Sequence, residues 1–117
     1  MEPSMEITRT VTEGFDTLCL KGDLDLNNAM KFKTLLDIEV KNAPKILVLD
    51  MSGLNYIDST GIGILINAMK TLKAANGKLV LLAMPPSIHD LFGKTSLLKY
   101  FLAAPDPSHL KLVLGTD

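Results

Sequence analysis

The sequence predicts an α/β fold: a mixed sheet with parallel central strands and one antiparallel hairpin, packed with about four helices. Three observations carry this. Two alternating segments joined by a tight turn open the chain. Two wholly apolar runs further on read as strands buried on both faces. Helical patterns separate those strands, an order that favours parallel pairing through crossover connections.

The elements follow in order. Met5 to Val11 sets Met5, Ile7, Arg9 and Val11 against Glu6, Thr8 and Thr10, a period of two. Glu13-Gly14 is a turn signal, and Phe15 to Lys21 completes the hairpin. Gly22-Asp23-Leu24-Asp25 breaks the strand pattern. A helix is expected to start between Asp25 and Asn28, whose side chains suit free backbone N–H groups. Ala29, Phe32, Leu36 and Val40 share one face of it, and Asn42-Ala43-Pro44 ends it. Lys45 to Asp50, with Ile46-Leu47-Val48-Leu49, is the first buried strand. Met51 to Asp58 reads as a loop.

Ser59 to Asn76 is the second helix, with an apolar stripe of Ile62, Leu65, Ile66, Met69 and Leu72. Asn67, Lys70, Thr71 and Lys73 face outward, and Asn76-Gly77 supplies the stop. Lys78 to Ala83 is the second buried strand. Pro85-Pro86 precedes a short helix over Ser87 to Phe92. Leu97 to Ala103 reads as a turn leading into an edge strand. Asp106-Pro107 looks like an N-cap with proline in the first turn, so Ser108 to Leu114 reads as a short helix, with a strand as the alternative.

Length and composition narrow the function. The chain has 117 residues, consistent with one domain over 1–117 that buries a core without disulfides or metals. The formal net charge of −1 argues against a direct nucleic-acid binder, which needs an excess of Lys and Arg at the phosphates. Cys19 is the single cysteine and reads as a small apolar strand residue. Met1-Glu2-Pro3-Ser4 lacks the basic start and apolar stretch of a signal peptide, and no run suits a membrane span, so a cytoplasmic location is expected.

Catalytic and cofactor motifs are weak. His89 and His109 are isolated, so no metal site is expected. Gly93-Lys94-Thr95-Ser96 resembles the end of a phosphate loop, but Ile88 stands where that loop needs glycine. Gly61-x-Gly63 lacks the third glycine of a dinucleotide fingerprint. Asp23 and Asp25 form a carboxylate pair on paper, yet such residues more often line turns. No catalytic residue, metal or cofactor is expected.

One stretch stands apart, from Asp50 through Asp58-Ser59-Thr60-Gly61-Ile62-Gly63 to Leu65. It leaves a buried strand at its C-terminal end and opens a helix, where functional surfaces of open α/β sheets gather. On physics alone Ser59 reads as the helix cap. Gly61 and Gly63 each weaken a helix by roughly 0.5–1 kcal/mol against alanine, so the pair suggests close backbone approach, by a neighbouring strand or by a partner.

The stretch resembles the signature of STAS-domain anti-sigma factor antagonists, in which an Asp-Ser-Ser/Thr-Gly sequence opens the second helix. Gly22-Asp23-Leu24-Asp25 resembles the family's motif after the second strand. Leu91-Phe92-Gly93-Lys94-Thr95-Ser96-Leu97 resembles a later family segment, with Ser96 in place of the usual glycine, a departure expected to affect a local turn. The resemblance extends over about Met5 to Leu114.

The resemblance implies that Ser59 is a phosphorylation site. It further implies a surface formed by Asp23, Asp25, Asp58, Ser59, Thr60, Gly61 and Gly63 that binds an anti-sigma factor serine kinase while Ser59 is unmodified. The kinase ends the complex by phosphorylating Ser59, and a metal-dependent serine phosphatase resets the cycle. Any nucleotide or metal then belongs to the partners. The phosphate, at a helix N-terminus, is expected to meet free N–H donors. Two other readings stand beside this one. A STAS module can serve a partner-switching system that does not act on a sigma factor. A small enzyme or nucleotide binder could use the Asp23/Asp25/Ser59 cleft, although no general base is evident near Ser59.

Overall fold

The computed structural model describes residues 5–42 and 44–115. Met1-Glu2-Pro3-Ser4 and the Ala43 of the expected helix stop lie outside the described residues. The strands are β1 (Glu6–Thr12), β2 (Phe15–Leu24), β3 (Ile46–Ile57), β4 (Lys78–Leu82) and β5 (Leu102–Ala104). The helices are α1 (Ala29–Lys41), α2 (Ser59–Ala74), α3 (Pro86–Lys94) and α4 (Leu110–Leu114). The sheet order is β1-β2-β3-β4-β5, with β1 antiparallel to β2 and every other pair parallel. This is the mixed sheet and hairpin that the sequence predicts.

Side-chain alternation assigns the two faces. Leu18, Leu20, Leu47, Leu49, Leu79 and Leu81 join Phe32 and Leu36 of α1, Leu65 and Leu72 of α2 and Phe92 of α3 in one buried cluster. Val48, Val80 and Leu82, one residue out of phase, join Leu110 and Leu114 of α4 in the other. The central strands are apolar at consecutive positions because both faces are covered. The buried face of α1 is Ala29, Phe32, Leu36 and Val40, as its spacing predicts.

Five expectations need correction. The stretch after Asp50 is strand, not loop: β3 runs to Ile57, and Gly22-Asp23-Leu24 continues β2 instead of breaking it. Parallel pairing persists through Lys21↔Gly53, Gly22↔Leu54, Asp23↔Tyr56 and Leu24↔Ile57, across two register shifts. Gly22 absorbs the distortion at φ +108, and the bare Gly53 leaves room for Leu20 O, 3.1 Å from where a Cβ would stand. The buried stripe of α2 is Gly61, Leu65, Ala68 and Leu72, with Ile62, Ile66 and Met69 only partly covered at its flank. Ser108 does not begin an α-helix; Pro107–His109 forms a 3-10 turn before α4. The short helix after Pro85 is longer than expected, reaching Lys94. Between them Leu98–Tyr100 forms a turn into the edge strand β5.

β4 pairs with β3 only as far as Leu82↔Asp50. Beyond that point β2 and β3 continue as a two-stranded extension, and Ser59 follows its tip.

Candidate functional site

The site starts at the end of β3. Asp58 is extended, at φ −115 and ψ −175, and forms the N-cap of α2. Its Oδ1 accepts from Thr60 N at 3.0 Å and Gly61 N at 3.3 Å. Asp58 therefore does the capping that physics alone assigned to Ser59. The first bond within the helix follows, Ile62 N donating to Asp58 O at 3.0 Å. Ser59 and Thr60 are exposed, and among the described residues no hydrogen bond engages the Ser59 hydroxyl. The phosphate expectation changes as well. Thr60 N and Gly61 N are already taken, and the Ser59 N–H is the donor left open in this turn among the described residues.

The other half of the site comes from the β2–α1 connection. Asp58 N donates to Leu24 O at 3.3 Å, which ties the start of α2 to the middle of Gly22-Asp23-Leu24-Asp25. Asp25 Oδ1 accepts from Asn27 N at 3.0 Å and Asn28 N at 3.1 Å. Asn28 Nδ2 donates to Asp23 O at 2.8 Å. Asn28 itself gives α1 no side-chain cap, so the acidic loop is fixed by its own turn. Asp23 lies opposite Tyr56 in the ladder.

The two glycines have different surroundings. A Cβ at Gly61 would stand 2.6 Å from Leu24 Cγ and 3.1 Å from Ile57 Cγ1. Its need for close approach is met by the chain's own packing. A Cβ at Gly63 would meet nothing within 4 Å. Gly63, about half a turn further round the helix, faces open space.

Among the exposed apolar side chains, three on the elements of this site escaped the sequence reading: Leu26, 71% exposed, Met30, 69%, and Tyr56, 50%. Leu26 is on the acidic connection, Met30 begins the outer face of α1, and Tyr56 stands across from Asp23. The signal was available for one of them, since Met30 is out of phase with the Ala29-Phe32-Leu36-Val40 stripe.

Two further chemistry-bearing groups lie outside this site. Cys19 is half-buried, and its Sγ lies 3.9 Å from Asp50 Oδ2. Burial, then the Asp50 charge and hydrogen bond, push the thiol pKa up and disfavour the reactive thiolate. At the start of the last turn, His109 Nδ1 lies 2.8 Å from Asp106 Oδ1 and 3.3 Å from Ser108 Oγ. Hydrogen bonds from Ser108 and then His109 hold the Asp106 carboxyl below its usual range. One ring nitrogen faces both partners, so His109 does not bridge Ser108 to Asp106 as a relay requires. No group of three or more potential metal ligands occurs among the described residues.

The site is thus an exposed serine at a capped helix start, beside an acidic loop at the end of a mixed sheet. The STAS domain family profile matches residues 6–113, and the chain belongs to that family. It is 31% identical over 97 residues to the anti-sigma-B factor antagonist of Listeria monocytogenes, covering 83% of this chain and 84% of that protein. An anti-sigma factor antagonist from Mycobacterium paratuberculosis superposes with a TM-score of 0.80 at 23% identity, over 96% of this chain and 92% of its own. The Bacillus cell fate determinant SpoIIAA in its phosphorylated form superposes with a TM-score of 0.67 at 21% identity, over 94% and 99%.

Proposed function

We propose that this protein is an anti-sigma factor antagonist that works as a phosphorylation-controlled partner switch. Unmodified, it binds an anti-sigma factor that is also a serine kinase, and so frees the sigma factor. Phosphorylation of Ser59 ends the complex, and a serine phosphatase restores it. The observation that carries this reading is the division of labour at α2: Asp58 caps the helix, which leaves the exposed Ser59 hydroxyl free for modification. Asp23, Asp25, Asp58, Thr60, Gly61 and Gly63 shape the surrounding surface, and Leu26, Met30 and Tyr56 add apolar area that a partner can cover. The relatives named for antagonism support the class, and a structural relative in a phosphorylated form supports the chemistry. In this reading the chain is a substrate of the cycle, and ATP and metal are used by its partners.

The test is to incubate the full chain with the anti-sigma serine kinase from the same cell and ATP, then map the phosphate by mass spectrometry. Phosphate on Ser59 is expected. Modification mainly at Thr60, or none at Ser59, overturns the assignment. A pull-down of that kinase, identifying what else it holds, separates control of a sigma factor from control of another target.

A further inference from the structure

A cavity of about 550 Å³ lies at the opposite end of α2 from Ser59, between that helix, the start of β4 and the segment before β5. Sixteen residues of helix separate the two ends, about 24 Å at the usual rise. Leu79 and Phe101, both buried, and the partly buried Met69 give the cavity an apolar wall. Its rim carries Lys73, Lys99 and Tyr100, and among the described residues no Asp or Glu lines it. Another rim lysine, Lys78, already donates to Leu114 O at 3.0 Å. Lys73 and Lys99 have no ion-pair partner among the described residues. The Lys99 ammonium instead sits 5.3 Å from the centre of the Tyr100 ring.

Cations beside a low-dielectric wall, with no counter-charge in the lining, raise the local potential and concentrate anions. The volume falls in the range that holds small-molecule ligands, and such sites combine an apolar lining with a few placed polar groups. We propose that this cavity binds a small organic anion with an apolar body, its carboxylate or phosphate on Lys73 and Lys99 and its body against Met69, Leu79 and Phe101. This site is separate from the Ser59 surface and does not depend on the switch.

The test is a titration of the isotope-labelled full chain, followed by amide chemical shifts. Octanoate and 2-naphthoate are the anionic probes; octanol and inorganic phosphate supply the body and the charge alone. Saturable shifts at Met69, Lys73, Leu79 and Phe101 are expected with a carboxylate probe, and the tighter one shows whether the site prefers an alkyl or aryl body. Octanol and phosphate should bind at least ~10-fold more weakly, as should octanoate to the K73Q/K99Q double variant. Both lysines are exposed, and unchanged amide dispersion verifies that the variant is folded. Equal binding of octanol and octanoate overturns the proposal. So does the absence of shifts at millimolar carboxylate, or full retention of binding in the folded double variant.

Discussion

Asp58 and Ser59 are neighbours with separable roles, and substitution should separate them. Asp58→Ala removes the acceptor for two helix amides and should cost about 1 kcal/mol in urea unfolding. Ser59→Ala removes an unbonded surface hydroxyl and should stay within about 0.5 kcal/mol of wild type. An equal loss for both would show that Ser59 shares the cap. The glycines give a second contrast. Gly61→Ala drives a methyl into Leu24, and overpacking of that kind costs typically 1–3 kcal/mol. Gly63→Ala meets open space, so it should gain about 0.5–1 kcal/mol from helix propensity. Cys19 offers a check by pH. Its raised pKa means that the fold favours the neutral thiol, so this contribution is intact below the ordinary thiol pKa and is lost as pH rises through the raised value. Iodoacetamide should alkylate the folded chain more slowly than free cysteine at the same pH, and urea should remove the difference. The position of Ser59 was legible from its motif, but its freedom from capping was not. Asp58, Ser59 and Thr60 can all cap a helix. The choice is made by pairing of Leu24 with Ile57 and by the Asp58 N–H bond to Leu24 O, which fix where the helix begins.

At the scale of elements, the helices were legible and the second half of β3 was not. Met51-Ser52-Gly53-Leu54-Asn55 has the Gly, Ser and Asn of a loop. The buried residues from Met51 to the end of β3, Met51, Leu54 and Ile57, fall three apart because the register shifts disturb the two-residue period. Only the partner strand reveals the ladder. The helix stops show the opposite case, in which local rules suffice. At the end of α2, Asn76 is left-handed at φ +63, with Asn76 N bonded to Lys73 O and Gly77 N to Leu72 O. Gly77 has a different task, since a Cβ there would stand 2.8 Å from Pro44 O. The end of α3 repeats the motif: Ser96 is left-handed at φ +61, Ser96 N bonds Gly93 O and Leu97 N bonds Phe92 O. This is the position where the motif resemblance leads one to expect glycine. Serine bears a left-handed strain of roughly 1–2 kcal/mol, and glycine escapes it at some cost in chain entropy. Ser96→Gly should therefore raise stability by about 1 kcal/mol, read as a higher denaturation midpoint at unchanged m-value. A lower midpoint would show that the serine is locally compensated.

Over the whole molecule, the sheet buries two clusters on its faces, and β2 and β3 carry the Ser59 surface beyond the end of β4. No helix among the described residues is long and apolar enough to cross a membrane. The location of Ser59 determines what a phosphate can do. It adds roughly −1.5 to −2 charge near neutral pH. The hydroxyl is exposed, so in the free chain the phosphate keeps its water and imposes no burial cost. The Asp58 carboxylate already occupies two of the amides that would otherwise receive it, so little stabilisation follows either. Gain and loss both being small, the fold should be indifferent to the modification. A complex is different, because a partner covering Leu26, Met30 and Tyr56 must also remove water from the new charge beside the acidic loop. Ser59→Asp, a partial mimic, should therefore weaken kinase binding at least ~10-fold, about 1.4 kcal/mol. Its Tm should stay within roughly 4 °C of wild type, less than 1 kcal/mol would produce. Ser59→Ala should bind like wild type and resist release by ATP. Melting and calorimetric titration on the same samples decide the matter: if Ser59→Asp loses binding together with its fold, the switch acts by unfolding and not at the interface.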